Sequence, residues 1–198
     1  MPRAIDAIFA AVAMLLLAVL MALIALCVVL SMGRPIFFRQ TRVGMGLVPF
    51  QLIKFRSMND RRDADGRLLP DSVRMTMFGH ALRRSRLDEL TELWNIMRGD
   101  MAFVGPRPLL LDTIAALGAA GIERSSVRPG LTGLAQVSGN TLLEIGEKLA
   151  MDLFYVRNRR PGLDLRILLS TPVMMVRGEK VNAVVLEKAH ACSDRGLR

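Results

Sequence analysis

The sequence predicts an α/β protein, mostly helical with a small β-hairpin, that carries one N-terminal membrane-embedded helix and amphipathic helices at the membrane interface. No charged side chain lies between Asp6 and Arg34. Two short segments that follow alternate apolar and polar residues around a glycine-containing turn, and much of the remaining chain places apolar residues three or four positions apart. We therefore expect a membrane-embedded helix at 1–33, an interfacial domain at 34–180 and a C-terminal tail at 181–198.

The N-terminal apolar run is long enough to be a membrane anchor, because about 20 apolar residues in a helix cross the hydrocarbon of a bilayer. A cleaved signal peptide has an apolar region of only about 7–15 residues, so we expect an uncleaved helix. The positive-inside rule places the following domain on the cytoplasmic side of the membrane. The basic residues on which this depends are Arg34, Arg39, Arg42, Lys54, Arg56, Arg61 and Arg62.

The net charge of +9 accompanies a composition that is 52% hydrophobic, a combination unusual for a soluble domain. Attraction to anionic membrane lipid is one explanation, and a site for phosphorylated substrates is another. No nucleic-acid partner is expected, because the basic residues are not interleaved with exposed aromatic residues and no nucleic-acid-binding motif is present. Two cysteines and two histidines do not make a zinc site.

Each later element is predicted from its local pattern. PIFFRQ and PFQLIKF predict the hairpin, residues 59–72 a polar loop, and residues 77–97 one helix that ends at Gly99. The elements after Gly99 are a strand or extended segment in GDMAFVGPRPLL, a helix at 109–120, a turn in RPGLTG, a short strand in LAQVSG, and amphipathic helices at 141–158 and 163–177. The last of these helices can pack in the core or lie in the membrane interface.

Two acidic motifs are candidates for chemistry. Asp63-Ala64-Asp65 has the form of the metal-binding triplet of a sugar-nucleotide transferase, although its composition favours an ordinary turn. Asp88-Glu89 follows several arginines at a predicted helix start. Ser85 and Asp88 have capping-box spacing, and these residues taken alone favour a cap over a catalytic pair.

The order of several motifs favours the catalytic pair instead. KFRSM precedes LDELTELWNIMRGDMAFVGPRP, which is followed by RPGLTGLAQVSGN. From about Ile5 to about Val176 the chain resembles the monotopic phosphoglycosyl transferases, also called bacterial sugar transferases. The anchor lacks the Ser-Pro pair that often breaks the family's helix, since Ala18 and Val19 stand there. A straighter helix is therefore expected, and both re-entrant and spanning topologies stay open.

The resemblance implies that Asp88 is the nucleophile, that Glu89 is its partner, and that a Mg²⁺ ion binds at Asp88. Asp152 and Tyr155 match recurrent family positions without an assigned role. The residues that match basic positions near the substrate phosphates are Lys54, Arg56, Arg83 and Arg107.

The resemblance also implies the reaction. A sugar phosphate passes from a nucleotide-diphosphate sugar, by resemblance a UDP-sugar, to polyprenyl (undecaprenyl) phosphate, and nucleoside monophosphate is released. The step begins surface-glycan assembly at the cytoplasmic face of the bacterial inner (plasma) membrane. A carboxylate nucleophile suits this chemistry, because a covalent intermediate splits one difficult transfer into two. The rivals are a non-catalytic adaptor that binds anionic lipid and a metal-dependent glycosyl transferase that uses Asp63 and Asp65.

Overall fold

The computed structural model describes residues 3–195 and confirms a mostly helical α/β protein with a small β component. Three 3₁₀ segments, at Met45–Leu47, Leu87–Thr91 and Asn140–Leu142, connect the larger elements. The strands are β1 (Phe37–Val43), β2 (Pro49–Phe55), β3 (Ala102–Val104) and β4 (Gly130–Thr132). The helices are α1 (Arg3–Met32), α2 (Asp71–Arg74), α3 (Met77–Arg84), α4 (Glu92–Arg98), α5 (Leu111–Ala116), α6 (Gly118–Arg124), α7 (Leu134–Val137), α8 (Ile145–Arg157), α9 (Pro161–Arg177) and α10 (Ala183–Arg195).

The predicted hairpin is confirmed. Strands β1 and β2 pair antiparallel, with Phe37 opposite Phe55 and Val43 opposite Pro49. The connection passes through Gly46, whose φ of 67° lies in the left-handed region that glycine adopts at little cost.

A second sheet pairs β3 with β4 in parallel, and here two predictions were wrong. RPGLTG contains strand β4 rather than only a turn, and LAQVSG contains helix α7 rather than a strand. Strand β4 is too short to show an alternating pattern. Its pairing depends on backbones that approach closely, since a Cβ at Gly130 would lie 2.1 Å from the backbone nitrogen of Gly105.

Helix α1 is one unbroken helix of 30 residues that lies along the domain. Ala10 is buried in a cluster with Leu93 of α4, and Val28 is buried in another cluster with Leu82 of α3. The opposite face is exposed, with Leu16 77% accessible. By length and composition α1 can cross a membrane. Its apolar exposed face makes α1 a candidate for contact with lipid.

Both ends of α1 are tied to the same domain. At the N-terminal end, Arg3 donates a hydrogen bond to the carbonyl oxygen of Arg98 (3.3 Å). At the C-terminal end, Arg56 donates to the carbonyl oxygens of Gly33 (2.8 Å) and Arg34 (3.1 Å). The domain therefore accompanies the helix along most of its length.

The single helix predicted at 77–97 was wrong, because the chain breaks before the acidic pair. Helix α3 ends at Arg84, Arg86 adopts a left-handed backbone with φ of 56°, and a 3₁₀ segment leads into α4. A left-handed residue cannot continue a right-handed helix, so the apolar spacing alone did not reveal the break. Gly99 ends α4 in the left-handed conformation, as predicted. The predicted helix at 109–120 is also divided, into α5 and α6.

The C-terminal helices complete the core. In α9, Ile167 is buried in the core whereas Leu169 and Val176 are 64% and 87% exposed, so this helix has one core face and one free apolar face. The segment predicted to be a tail contains α10, whose buried Ala189 packs in a cluster with Met151 of α8.

Candidate active site

A cavity of about 960 Å³ opens between the β1–β2 hairpin, the 3₁₀ segment at Leu87–Thr91 and Glu179, which follows α9. Its wall is rich in arginine and carries both members of the acidic pair. It brings together every residue predicted for the site, namely Lys54, Arg56, Arg83, Asp88, Glu89 and Arg107.

Asp88 lies on the 3₁₀ segment and is 8% exposed. It forms no ion pair within 4.0 Å among the described residues. Burial raises the pKa of Asp88 above its ordinary value and the charge of Glu89 adds to this, while Lys54 and Arg83 oppose it. The capping-box interpretation was wrong: Ser85 ends α3, and Arg86, which precedes the 3₁₀ segment, makes no side-chain cap.

Glu89 is held by two cations. Its Oε1 atom accepts hydrogen bonds from Lys54 Nζ and from Arg107 Nη2, both at 2.6 Å. Burial alone would raise the pKa of Glu89, but the charges and hydrogen bonds of Arg107 and Lys54 lower it to about 2. Glu89 is therefore ionised at neutral pH and fixes both cations in the cavity wall.

Glu92 is a third carboxyl group that sequence reasoning missed, and it contacts the site through Lys54 without lining the cavity. Its Oε1 atom lies 3.0 Å from Lys54 Nζ, and the residue is 3% exposed. Burial raises the pKa of Glu92 to about 7, even though Lys54 opposes the shift. Its spacing from Asp88 could have indicated Glu92 from the sequence. The two residues are four positions apart, and residues with this spacing lie on one face of a helix.

Hydrogen bonds to strand β2 set the position of Lys54 relative to the acidic pair. Thr91 Oγ1 donates to the carbonyl oxygen of Ile53 (2.7 Å). Asn95 accepts from the backbone nitrogen of Ile53 (3.2 Å) and donates to the carbonyl oxygen of Gln51 (2.8 Å). These bonds dock the acidic segment against β2 directly beside Lys54.

The remaining basic residues differ in how freely they face the cavity. Arg107 has a side chain that is 42% exposed, so part of its guanidinium is open to a ligand. Arg83 donates to Ser57 Oγ (2.8 Å). Arg56 is 6% exposed and bonds to the end of α1 and to Asp60, so its contacts in this structure are structural.

Asp152 and Tyr155 now have structural roles. Asp152 accepts from Arg124 Nε (2.7 Å) in a buried ion pair, and Arg124 also donates to the carbonyl oxygen of Arg107. Tyr155 donates to Asp164 Oδ1 (2.7 Å) inside the core. The Asp152–Arg124 pair therefore supports the backbone of a residue in the cavity wall.

The Asp63-Ala64-Asp65 triplet forms a local turn. Asp63 Oδ1 accepts from the backbone nitrogens of Asp65 (3.0 Å) and Arg67 (2.8 Å), and neither aspartate lines the cavity. Within residues 3–195, no group of three or more His, Cys, Asp or Glu side chains is placed to hold a metal ion by itself. The turn that Asp63 stabilises is the local structure that the composition of the triplet favoured.

A buried acidic pair facing arginines beside a long apolar helix makes this cavity a candidate site for an anionic substrate. The family model described as bacterial sugar transferase matches residues 1–178. The chain therefore belongs to the bacterial sugar transferase family and is an enzyme, as the motif resemblance predicted.

Individual relatives agree with this membership. The chain is 41% identical to the uncharacterized sugar transferase EpsL of Bacillus subtilis, over 84% of this chain and 80% of the relative. It is 39% identical to the UDP-glucose:undecaprenyl-phosphate glucose-1-phosphate transferase of Caulobacter vibrioides, over 85% and 67%. It is 35% identical to the exopolysaccharide production protein ExoY of Rhizobium meliloti, over 85% and 82%.

Proposed function

We propose that this enzyme transfers a sugar phosphate from a UDP-sugar to undecaprenyl phosphate, through a covalent phosphosugar on Asp88, and releases UMP. The reaction would begin assembly of a surface glycan at the cytoplasmic face of the inner membrane. The names of the Caulobacter and Rhizobium relatives support the donor, the acceptor and the glycan. The observation that carries the proposal is the asymmetry of the acidic pair, since Glu89 holds two cations whereas Asp88 faces the same cavity without an ion pair to any residue of 3–195.

Two displacements at the same phosphorus account for the transfer. An Asp88 carboxylate oxygen attacks the phosphorus next to the sugar, and the bond from that phosphorus to UMP breaks with its electron pair on UMP. An oxygen of the acceptor phosphate then attacks the same phosphorus, and the bond to Asp88 breaks, which restores the carboxylate. Each half-reaction uses the one small site, so the water-soluble donor and the lipid acceptor occupy it in turn.

The cations of the cavity wall make the first attack feasible. A carboxylate that approaches a diphosphate is repelled, and fixed positive groups offset this repulsion most where charge develops in the transition state. Arg107 and Lys54 are held within 2.6 Å of Glu89, and Arg83 is held by Ser57. Glu89 would therefore serve by fixing two cations in place before the donor binds.

A Mg²⁺ ion fits the same site. Magnesium in phosphoryl-transfer sites commonly uses one or two carboxylates together with substrate phosphates and water. Asp88 offers a carboxylate that no described cation pairs with, in a cavity sized for a nucleotide sugar. Bound there, the ion would neutralise charge on the donor diphosphate.

The nucleotide that is released tests the function. With purified enzyme in nanodiscs, a UDP-sugar and undecaprenyl phosphate, we expect UMP in amounts equal to the lipid product. A glycosyl transferase that uses Asp63 and Asp65 would release UDP, and a lipid-binding adaptor would release nothing. Without the acceptor, mass spectrometry should find one phosphosugar on Asp88. A phosphosugar on another residue would contradict the assignment.

The packing of α1 predicts its topology. Ala10 and Val28 both pack on the domain although they are about 27 Å apart along the helix, close to the hydrocarbon thickness of about 30 Å. A perpendicular span would carry these contacts to opposite faces of the membrane. We therefore propose that both ends of α1 lie on the cytoplasmic side, with its exposed apolar face in one leaflet.

Cysteine accessibility checks this topology. In a background with Cys27→Ala and Cys192→Ser, the exposed positions Ala4→Cys and Ser31→Cys should react with an impermeant maleimide only in inside-out vesicles. Arg62→Cys, in the exposed loop of the domain, marks the domain side. Labelling of position 4 from the outer side of the membrane would instead establish a span.

A further inference from the structure

The carboxylate of Glu179 joins three segments around the cavity. Its Oε1 atom accepts from Arg86 Nη2 (3.1 Å) and from Asn140 Nδ2. Its Oε2 atom accepts from the backbone nitrogen of Thr141 (3.0 Å) and from the Thr141 hydroxyl. Glu179 lies immediately after the segment matched by the family model, and all four residues line the cavity that contains Asp88.

Two of its partners have unfavourable backbones. Arg86 has φ of 56° and Asn140 has φ of 45°; Leu47 is the one other described non-glycine residue with positive φ. A left-handed conformation is unfavourable for a residue with a side chain, less so for asparagine than for arginine, and persists where surrounding contacts over-determine it. The Glu179 carboxylate supplies such contacts at both positions.

The number of hydrogen bonds that Glu179 can accept shows whether its carboxylate binds a ligand or only stabilises the protein. An ionised carboxylate has about four lone-pair sites. Arg86, Asn140 and the two donors of Thr141 occupy them all. No acceptor site is therefore left for the hydroxyl groups of a bound sugar, although Glu179 lines the cavity.

The backbone conformation of Arg86 also sets the position of Asp88. Arg86 precedes the 3₁₀ segment that begins at Leu87, and no side-chain cap holds that start. The backbone nitrogen of Glu89 donates to the carbonyl oxygen of Arg86 (3.1 Å). A change in the backbone of Arg86 would therefore move both carboxylates of the acidic pair.

We propose that Glu179 is a positioning residue, which holds Arg86 in its left-handed conformation and so places Asp88 for attack on the donor. The inference rests on the proposed function. Small misplacement of reacting groups lowers rates by up to about 100-fold. Loss of the Glu179 contacts should therefore slow the first half-reaction and leave the affinity for the donor nearly unchanged.

Single-turnover kinetics with a UDP-sugar and no lipid acceptor tests the proposal, with Asp88 adduct formation as the readout. We expect Glu179→Gln to slow adduct formation by roughly 10–100-fold while the donor concentration at half-maximal rate changes by less than about threefold. Glu123→Gln, which removes a surface partner of Arg157, is the control and should match the wild type.

Two substitutions at Arg86 separate the effect of its backbone conformation on the adduct rate from the effect of its ion pair. Arg86→Ala loses the ion pair and keeps the cost of a left-handed backbone, so it should be as slow as Glu179→Gln. Arg86→Gly also loses the ion pair but adopts this backbone freely, so it should retain most of the adduct rate. In the Arg86→Gly background, the further change Glu179→Gln should then have little effect.

Three outcomes would overturn the role of Glu179: a wild-type adduct rate in Glu179→Gln, a raised donor requirement without a slower maximal rate, or equal rates for Arg86→Ala and Arg86→Gly. If Glu179→Gln fails to fold, the comparison of the two Arg86 variants still decides. Failure of the wild type to form any Asp88 adduct would instead refute the proposed function, so the two failures are distinguishable.

Discussion

Asp88→Asn should lower turnover by at least about a thousandfold, because an amide cannot replace the carboxylate that forms the phosphosugar bond. The fold should survive this change. Burial raises the pKa of Asp88, so its ionisation opposes folding at pH values above its ordinary range, and a neutral side chain removes that cost. At neutral pH the variant should therefore unfold at the same temperature as the wild type or higher.

Release of UMP and thermal unfolding, measured on the same preparations, check this prediction. Asp63→Asn is the matched control, since Asp63 lies in the exposed turn outside the cavity and should leave turnover within about twofold of the wild type. Full turnover in Asp88→Asn would contradict the proposed mechanism. Loss of turnover only in Asp63→Asn would favour the alternative glycosyl transferase.

Arg124→Met should lower the free energy of unfolding by about 3–5 kcal/mol, because it leaves Asp152 as a buried charge without its partner. The side chains of this pair are 5% and 7% exposed and lie 2.7 Å apart. Arg124 also bonds to the backbone of Arg107, so turnover should fall together with stability. Denaturant unfolding in detergent measures the first effect.

The surface pair Glu123–Arg157 provides the comparison, because its side chains are 36% and 28% exposed. Glu123→Gln should cost only about 0–1 kcal/mol. The double change Arg124→Met with Asp152→Leu removes both buried charges and should recover most of the lost stability. An Arg124→Met protein as stable as Glu123→Gln would show that the buried pair contributes little.

Local sequence patterns predicted the elements that depend on residues close together in the chain. The hairpin was correct because the two segments are joined through glycine and β2 begins with exposed and buried residues in alternation. The apolar helix was correct because its uncharged run is long and free of proline. The break at Arg86 and strand β4 were not predicted, since both depend on contacts with distant residues: Glu179 holds Arg86, and β3 pairs with β4.

In the candidate site, too, the sequence predicted some features, whereas contacts between distant residues decided the others. Motif order predicted Asp88 and Glu89, and with them four of the basic residues that line the cavity, namely Lys54, Arg56, Arg83 and Arg107. Nothing in the local pattern distinguished the two carboxylates from one another. Their difference arises from β2, which brings Lys54 against Glu89 from 35 residues away.

The sequence alone determined that this chain combines an unbroken apolar helix with a family-specific acidic pair, because hydrophobicity and motif spacing are properties of neighbouring residues. Only the tertiary structure decided that, within the described part of the chain, Glu89 has cationic partners while Asp88 has none, that Glu92 pairs with Lys54, and that α1 lies along the domain. Burial and ion pairing are set by residues far apart in the chain, so they appear only when the chain is folded.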